Sequence, residues 1–259
     1  MRALILSDIH GNLEALEAVL AAAEGQWDEL WNLGDTVGYG ASPNQVVECM
    51  RSLGTVHVRG NHDRVCCGLT SPEGFNPIAK SAALWTRKQL TPDNLAWIQA
   101  MPQGPVTAGN GTVTCAHGSP LDEDDYLLSV RDAMAPVQSM RTAITFFGHT
   151  HIQGGFSYAR NQWHELTPQF GAIETRRGHL PMEAQSQQIV LEQGSKALVN
   201  PGSVGQPRDH DWRAAFAVYD SAANAITFHR VPYDLATSQA KIFKARLPER
   251  LASRLREGR

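Results

Sequence analysis

Several common protein classes are excluded by what this sequence lacks. It has four cysteines in 259 residues, Cys49, Cys66, Cys67 and Cys115, with no CxxC spacing and two of them adjacent. That arrangement suits neither a disulfide framework nor a zinc finger, and it reads as free thiols in a reducing cytoplasm. No run of about 18 or more apolar residues occurs, which argues against a membrane span. The apolar stretch at the N-terminus is too short for a signal-peptide core and runs straight into Ser7, Asp8 and His10, so it reads as a first buried strand. The formal net charge is only −3, and no basic stripe marks a nucleic-acid or membrane surface. There is no internal repeat and no low-complexity tract.

What is present is an ordinary globular composition, with 42% hydrophobic and 19% charged residues. The length suits one large α/β domain, read here as residues 1–259. Short apolar runs predict strands at Ala3–Leu6, Glu29–Leu33, Thr55–Val58, Thr112–Ala116, Ala143–Phe147, Ala197–Val199, Ala214–Tyr219 and Ala225–Arg230. Helical spacing covers Asn12–Glu24, with Asn12 as cap and Gly25 as stop, and Pro43–Leu53, with Ser42 as cap and Gly54 as stop. Further helices are predicted over Asn76–Leu90 and Asp93–Met101, and a basic helical segment over Leu235–Arg259 closes the fold or meets another subunit. The first third alternates β-α-β-α-β, which argues for parallel strands. Ile152–Lys196 has no clear core pattern and reads as a hairpin or loop excursion.

The chemistry lies in where the strands stop. Ala3–Leu6 leads to Asp8 and His10; Glu29–Leu33 leads through Gly34 to Asp35; Thr55–Val58 leads through Gly60 to Asn61 and His62. Thr112–Ala116 leads to His117, and Ala143–Phe147 leads through Gly148 to His149 and His151. Ligands of α/β sheets bind beyond the carboxyl ends of the strands. The three glycines allow a sharp turn or close backbone approach there. Each motif alone is weak, since a lone strand-end histidine or Gly-Asp is mostly chance. Five in one chain, each after a strand, point to a metal site.

Asp8-Ile9-His10, Gly34-Asp35, Gly60-Asn61-His62-Asp63, His117 and Gly148-His149-Thr150-His151 together resemble the motif set of the calcineurin-like metallophosphoesterase superfamily. Ser7–Asn12 and Asn200–Val204 resemble its compact bacterial and archaeal phosphodiesterase branch, and the likeness spans residues 1 to about 233. The resemblance implies a four-layer α-β-β-α sandwich: two packed mixed sheets flanked by helices. It further implies that Asp8, His10 and His151 bind one metal, that Asn61, His117 and His149 bind another, and that Asp35 bridges both. His62 would face the substrate without binding metal. A ligand set of carboxylate, imidazole and amide without thiolate favours Mn, Fe, Zn, Co or Ni over Ca, Mg or Cu(I). The expected reaction is in-line attack of metal-bound hydroxide on a phosphoester, with two divalent ions about 3.5–4 Å apart. His62 would protonate the leaving oxygen or hold a phosphate oxygen. Asp63 either orients His62 or caps a local turn.

Other residues are weighed against plainer roles. Arg208, in the loop after Asn200–Ser203, either touches substrate or pairs with Asp209 or the loop of Asp35. Ser203 belongs to the same candidate substrate wall, where Gly202 and Gly205 let backbone N–H groups face an anion. Tyr39 either stacks on a base or packs. Arg64 is a weaker phosphate contact. His57 reads as core; His164, His179 and His229 fall outside the motifs; His210 lies near the Arg208 loop. The acidic stretch Asp122–Asp125 reads as a solvated loop, because more anions near the site would repel phosphate.

The leading expectation is a phosphodiesterase or phosphomonoesterase of small nucleotide-type or dinucleoside polyphosphate substrates. A nuclease of the same chemistry is less favoured by the charge. A non-catalytic protein-binding scaffold is disfavoured because His62 and every ligand position are filled. A homo-oligomer is left open.

Overall fold

The computed structural model describes residues 1–170, 180 and 182–259. In chain order the strands are β1 (Arg2–Leu6), β2 (Glu29–Asn32), β3 (Val56–His57), β4 (Val106–Ala108), β5 (Val113–Cys115), β6 (Ile144–Phe146), β7 (Gly154–Ala159), β8 (Gln162–Glu165), β9 (Gln185–Val190), β10 (Lys196–Asn200), β11 (Ala214–Asp220) and β12 (Ala225–Val231). The helices are α1 (Leu13–Ala22), α2 (Pro43–Leu53), α3 (Asn61–Cys66), α4 (Pro77–Gln89), α5 (Pro92–Ala100), α6 (Val130–Ser139), α7 (Leu235–Lys244) and α8 (Glu249–Glu257).

Ala3 and Ile5 face one side of β1 and Leu4 and Leu6 the other, and all four are fully buried. A strand apolar on both faces needs cover on both sides. It receives it: one six-stranded sheet runs β3-β2-β1-β11-β12-β9, and a second runs β4-β5-β6-β10-β7-β8. Between them Ala3, Ile5, Trp31 and Leu33 meet Cys115, Phe146, Ala197 and Val199. Burying a side chain such as Phe146 there contributes about 1.5–3 kcal/mol by transfer from water. Leu4, Leu6 and Leu30 pack outward under α1, α2, α7 and α8, while Phe147, Phe156 and Leu198 of the second sheet pack on Ala133, Val137 and Met140 of α6 and its end. This is the expected α-β-β-α sandwich of two mixed sheets.

Each sheet has a parallel half: β1, β2 and β3 in the first, β5, β6 and β10 in the second. Parallel strands end on the same side, so these carboxyl ends gather along one edge of the sandwich. Asn12 caps α1 by accepting from Ala15 N–H, and it also donates to the Gly205 carbonyl at 2.9 Å and accepts from Ser238 Oγ at 2.9 Å. One side chain thus ties the start of α1 to the site loop and to α7.

Three regions differ from the sequence reading. Ile152–Lys196 is more than an excursion: β7 is an inner strand of the second sheet, β8 pairs with it as a hairpin, and β9 forms an edge of the first sheet. His179 lies outside the described residues. Helix α6 lies where the sequence predicts none, because Pro136 inside it masks the helical signal, although Ser129 caps it through Asp132 N–H. Ser42 stands at the start of α2, but its hydroxyl accepts no bond from the helix.

Candidate metal centre

Backbone bonds continue past the strand ends and hold the loops in register. Asp8 N–H donates to the Gly34 carbonyl and His10 N–H to the Asp35 carbonyl, both at 2.9 Å. Across the sandwich, His149 N–H donates to Asp8 Oδ2 at 3.1 Å, and within the first sheet's edge His62 N–H donates to Asp35 Oδ1 at 2.8 Å. Asp8, His10, Asp35, His149 and His151 all take left-handed backbone, with φ of 53°, 52°, 51°, 66° and 61°. Each such non-glycine residue costs about 1–2 kcal/mol, a strain that collects where side chains must be aimed rather than packed. Glycine is required beside them. A Cβ on Gly34 (φ 103°) would stand 2.8 Å from His117 Nδ1, one on Gly60 would fall on the Asp35 carboxylate, and one on Gly148 would strike Ser7 Oγ.

The seven expected ligand positions come together as two acceptor clusters that meet at Asp35. In the first, His151 Nε2 lies 3.2 Å from both Asp8 Oδ1 and His10 Nε2, and His10 Nε2 lies 3.6 Å from Asp35 Oδ2. The other ring nitrogens face carbonyls: His10 Nδ1 that of Val37 at 3.2 Å, His151 Nδ1 that of Gln206 at 2.6 Å. A carbonyl has no proton to give, so each Nδ1 carries the hydrogen and each Nε2 presents a lone pair. The first cluster is therefore two lone pairs and two carboxylates facing one another, all fully buried or nearly so.

The second cluster repeats the pattern. His117 Nε2 lies 3.1 Å from Asn61 Oδ1, 3.2 Å from His149 Nδ1 and 3.5 Å from Asp35 Oδ2. His117 Nδ1 donates to the Leu33 carbonyl at 2.9 Å and His149 Nε2 to the Asp124 carbonyl at 3.2 Å. Again acceptors converge, and a donor among them requires a proton on His117 Nε2. Buried acceptors need a donor or a cation, and imidazole held in one tautomer by a backbone carbonyl is the usual dress of a metal ligand. These donors fit a divalent metal.

The electrostatics agree. Burial would raise the carboxyls of Asp8 and Asp35, yet the neighbouring histidines hold both below the usual range, so both stay ionised. Burial lowers His10, His149 and His151 and keeps them neutral, His149 with a pKa of about 4. His117 alone goes up: burial works against its charged form, but the Asp35 charge outweighs it and brings the pKa to about 10. In the metal-free chain the positive charge the clusters need is thus a proton on His117.

His62 is buried with its ring 4.3 Å from Tyr39, 4.5 Å from Phe75 and 4.9 Å from His10, centre to centre. Burial lowers its pKa to about 4, and its Nδ1 has no hydrogen-bond partner. Asp63 is not aimed at that nitrogen. Its carboxylate accepts from Val37 N–H at 3.0 Å and Gly60 N–H at 3.1 Å, caps α3, and is pushed by burial and the Asp35 charge to a pKa of about 7. Its part is to hold the loops of Asp35 and His62 together. Ser203 is likewise turned inward: it is fully buried, donates to the Asp8 carbonyl at 2.8 Å and accepts from Gln206 N–H at 2.8 Å. It pins the backbone under the centre rather than forming a substrate wall.

Arg208 does not pair with Asp209, which binds Arg230 instead. Its backbone N–H is bonded to the His151 carbonyl at 3.2 Å, and its Nε is buried without a partner. Tyr39 is buried between His10 and His62 and lines a cleft. Arg64 is held by Glu123 and Asp124. The acidic stretch is therefore part of the wall, clamped to Arg64 and touching His149 through the Asp124 carbonyl, and not simply solvated. His57 is half-buried edge-on to Trp97, and His229 stacks on Phe216 at 4.5 Å; both lie off the site. His210 is exposed, with Nδ1 3.3 Å from Arg259 Nε. A cleft of about 440 Å³ opens beside the centre, lined by Asn61, His62 and His149 with Tyr39, Phe75 and Tyr126. Phe75 and Tyr126 are single aromatics in loops, and the carbonyls of Leu33, Val37, Asp124 and Gln206 carry no side-chain signal, so sequence patterns did not mark them.

With this geometry in place, the relatives are informative. The model of the calcineurin-like phosphoesterase superfamily domain matches residues 1–224. An uncharacterized protein of Methanocaldococcus jannaschii is 35% identical over 257 residues, which cover 98% of this chain and 97% of that one. Among solved structures, a metallophosphoesterase from Sphaerobacter thermophilus is 36% identical, with 100% of this chain and 99% of that one covered at a TM-score of 0.82. A hypothetical protein from Pyrococcus horikoshii shares the fold at a TM-score of 0.74, at 19% identity, over 100% of this chain and 98% of that one. By the length matched and the identity reached, the chain belongs to the calcineurin-like phosphoesterase superfamily.

Proposed function

We propose that the chain is a dinuclear metal-dependent phosphodiesterase acting on small, nucleotide-type phosphoesters. The observation that carries this reading is the pair of buried acceptor clusters meeting at the Asp35 carboxylate. Asp8, His10 and His151 would hold one ion, Asn61, His117 and His149 the other, and Asp35 both. Imidazole, carboxylate and amide together suit Mn, Fe, Zn, Co or Ni. When bound, such a pair of ions neutralises phosphate charge and brings the pKa of a bound water down to about 7, which supplies the nucleophile.

The protein's own residues do the rest. His62, buried and neutral with a pKa of about 4, suits N–H donation to a phosphate oxygen. A phosphate in the cleft would supply the counter-charge that protonation of this ring otherwise lacks, so the same group can deliver a proton to the leaving oxygen. Tyr39 and Phe75 pack on the His62 ring and fix its direction. The cleft of about 440 Å³, with Phe75 and Tyr126 on its wall, is sized for one nucleotide and offers flat apolar faces for a base. No helix among the described residues is long and apolar enough to cross a membrane.

The test is hydrolysis of bis(p-nitrophenyl) phosphate by purified protein across Mn, Fe, Zn, Co and Ni, with and without chelator. Activity that needs metal, is lost to chelator and returns on metal addition is expected. No turnover with any of the five metals, in protein that binds two ions, would overturn the catalytic reading.

A further inference from the structure

Beside the acceptor clusters lies the opposite arrangement, a pair of cations that meet no Asp or Glu carboxylate among the described residues. Among the described residues neither Arg208 nor Arg254 forms an ion pair, although six other arginines do. Both are only half-buried, and Arg208 Nε is enclosed and unbonded. Arg208 is tied by its backbone to the His151 carbonyl. Arg254 arrives from the other end of the chain. Leu251 and Leu255 of α8 are buried against the fold, and Arg254 falls at helical spacing from Leu251 and next to Leu255, at the margin of the same face.

The end of α8 is pressed onto the Arg208 loop. Gly258 closes the helix in left-handed conformation (φ 62°), and a Cβ on it would stand 2.7 Å from Asp211 N. His210 N–H donates to the Gly258 carbonyl at 2.9 Å, and Arg254 Nε donates to the Arg259 carbonyl at 2.7 Å. Both charges are felt around Tyr39: the Arg208 charge acts on His62, His151, Tyr39 and Arg254, and the Arg254 charge on Tyr39. Burial and then the Arg208 charge lower the pKa of Arg254. Two planar guanidinium groups with N–H donors to spare, Arg254 spending only its Nε on the Arg259 oxygen, are the complement of a phosphate.

We propose that Arg208 and Arg254 form a second anion subsite at the mouth of the centre, so that the preferred substrate is a phosphoester carrying a further phosphate, such as a nucleoside or dinucleoside polyphosphate. This deepens the function proposed above and rests on it for the position of the first phosphate. Helix α8 then contributes a specificity residue, not only cover for the first sheet.

The test compares pyrophosphate with orthophosphate as ligands of the Mn-loaded protein, by calorimetry and as inhibitors of bis(p-nitrophenyl) phosphate hydrolysis, with free Mn²⁺ buffered. Wild-type protein is expected to prefer pyrophosphate by about tenfold or more, the order of one charge-assisted hydrogen bond. In Arg208→Gln and Arg254→Gln that ratio should fall towards one, and Arg254→Lys should lie between. Arg250→Gln, an exposed α8 arginine paired with Glu257 at 2.8 Å, should keep the wild-type ratio. An unchanged ratio in Arg254→Gln overturns the proposal, and so does an equal loss in Arg250→Gln. Calorimetry decides this even if no diester is hydrolysed, so a failure of the catalytic reading and a failure of the subsite are told apart.

Discussion

The two acceptor clusters share a carboxylate but differ in depth and charge. The first holds Asp8 and Asp35 with two histidines, each at most 1% exposed. The second replaces a carboxylate with the amide of Asn61, which is half-buried, and Asn61 and His149 line the open cleft. Its ring nitrogens compete with a proton on His117, whereas those of His10 and His151 are already free. The first is a deep anionic cage and the second a weaker port on the substrate side. From this we expect the ion at Asn61 to exchange more readily and to be the one that substrate displaces or recruits.

Four changes would break or sharpen that contrast. Asp35→Asn has the largest expected effect: both ions lost by elemental analysis, and activity down by about 10²-fold or more, since the group shared by the clusters is gone. Retention of one full equivalent would mean that Asp35 belongs to a single cluster. Next, Gly60→Ala should displace the Asp35 carboxylate and cost about 1–3 kcal/mol of stability by overpacking, read from urea denaturation. Unchanged stability and metal content would remove close approach as the reason for that glycine. Third, Asn61→Ala should release one ion and keep the other, while Asp8→Ala impairs the deep cage; equal loss from both variants would erase the difference in depth. The smallest effect concerns protons. His117 has a raised pKa of about 10, so at pH 7 the second ion should displace about one proton and bind about tenfold more weakly per unit fall in pH, and the first should displace none. Calorimetry in two buffers of different ionisation enthalpy measures the count, and equal counts at both sites would contradict the assignment. Apart from this contrast, His62→Asn should retain both ions while kcat falls by about 10²-fold or more, and full turnover would take His62 out of the chemistry.

The strand ends were legible because each residue type carries its own chemistry. Asp8, Asp35, Asn61 and the four histidines sit where apolar runs stop, and parallel strands can only bring those stops to one edge. Direction was harder to read than place. Ser203 has a side chain suited to a substrate and Asp63 one suited to orienting His62 or to capping a turn, yet both bind backbone, because two loops crossing under the centre leave N–H and carbonyl groups to satisfy. The pairing of Arg64 with Glu123 and Asp124 joins positions about sixty residues apart, a separation on which local patterns are silent. Helix α6 was hidden by Pro136, and β9 by a run of glutamines that suits an edge strand with one wet face.

One feature of the backbone reaches beyond the reaction. Five of the ligand positions are held in left-handed turns, which a relaxed chain would leave. The folded chain is therefore sprung around this edge, and bound cations would act as its latch. Strip them, and amide exchange should quicken first at Asp8–Gly11 and His149–His151 while the sheets stay protected. Metal supply would then set how long the protein survives as well as how fast it works.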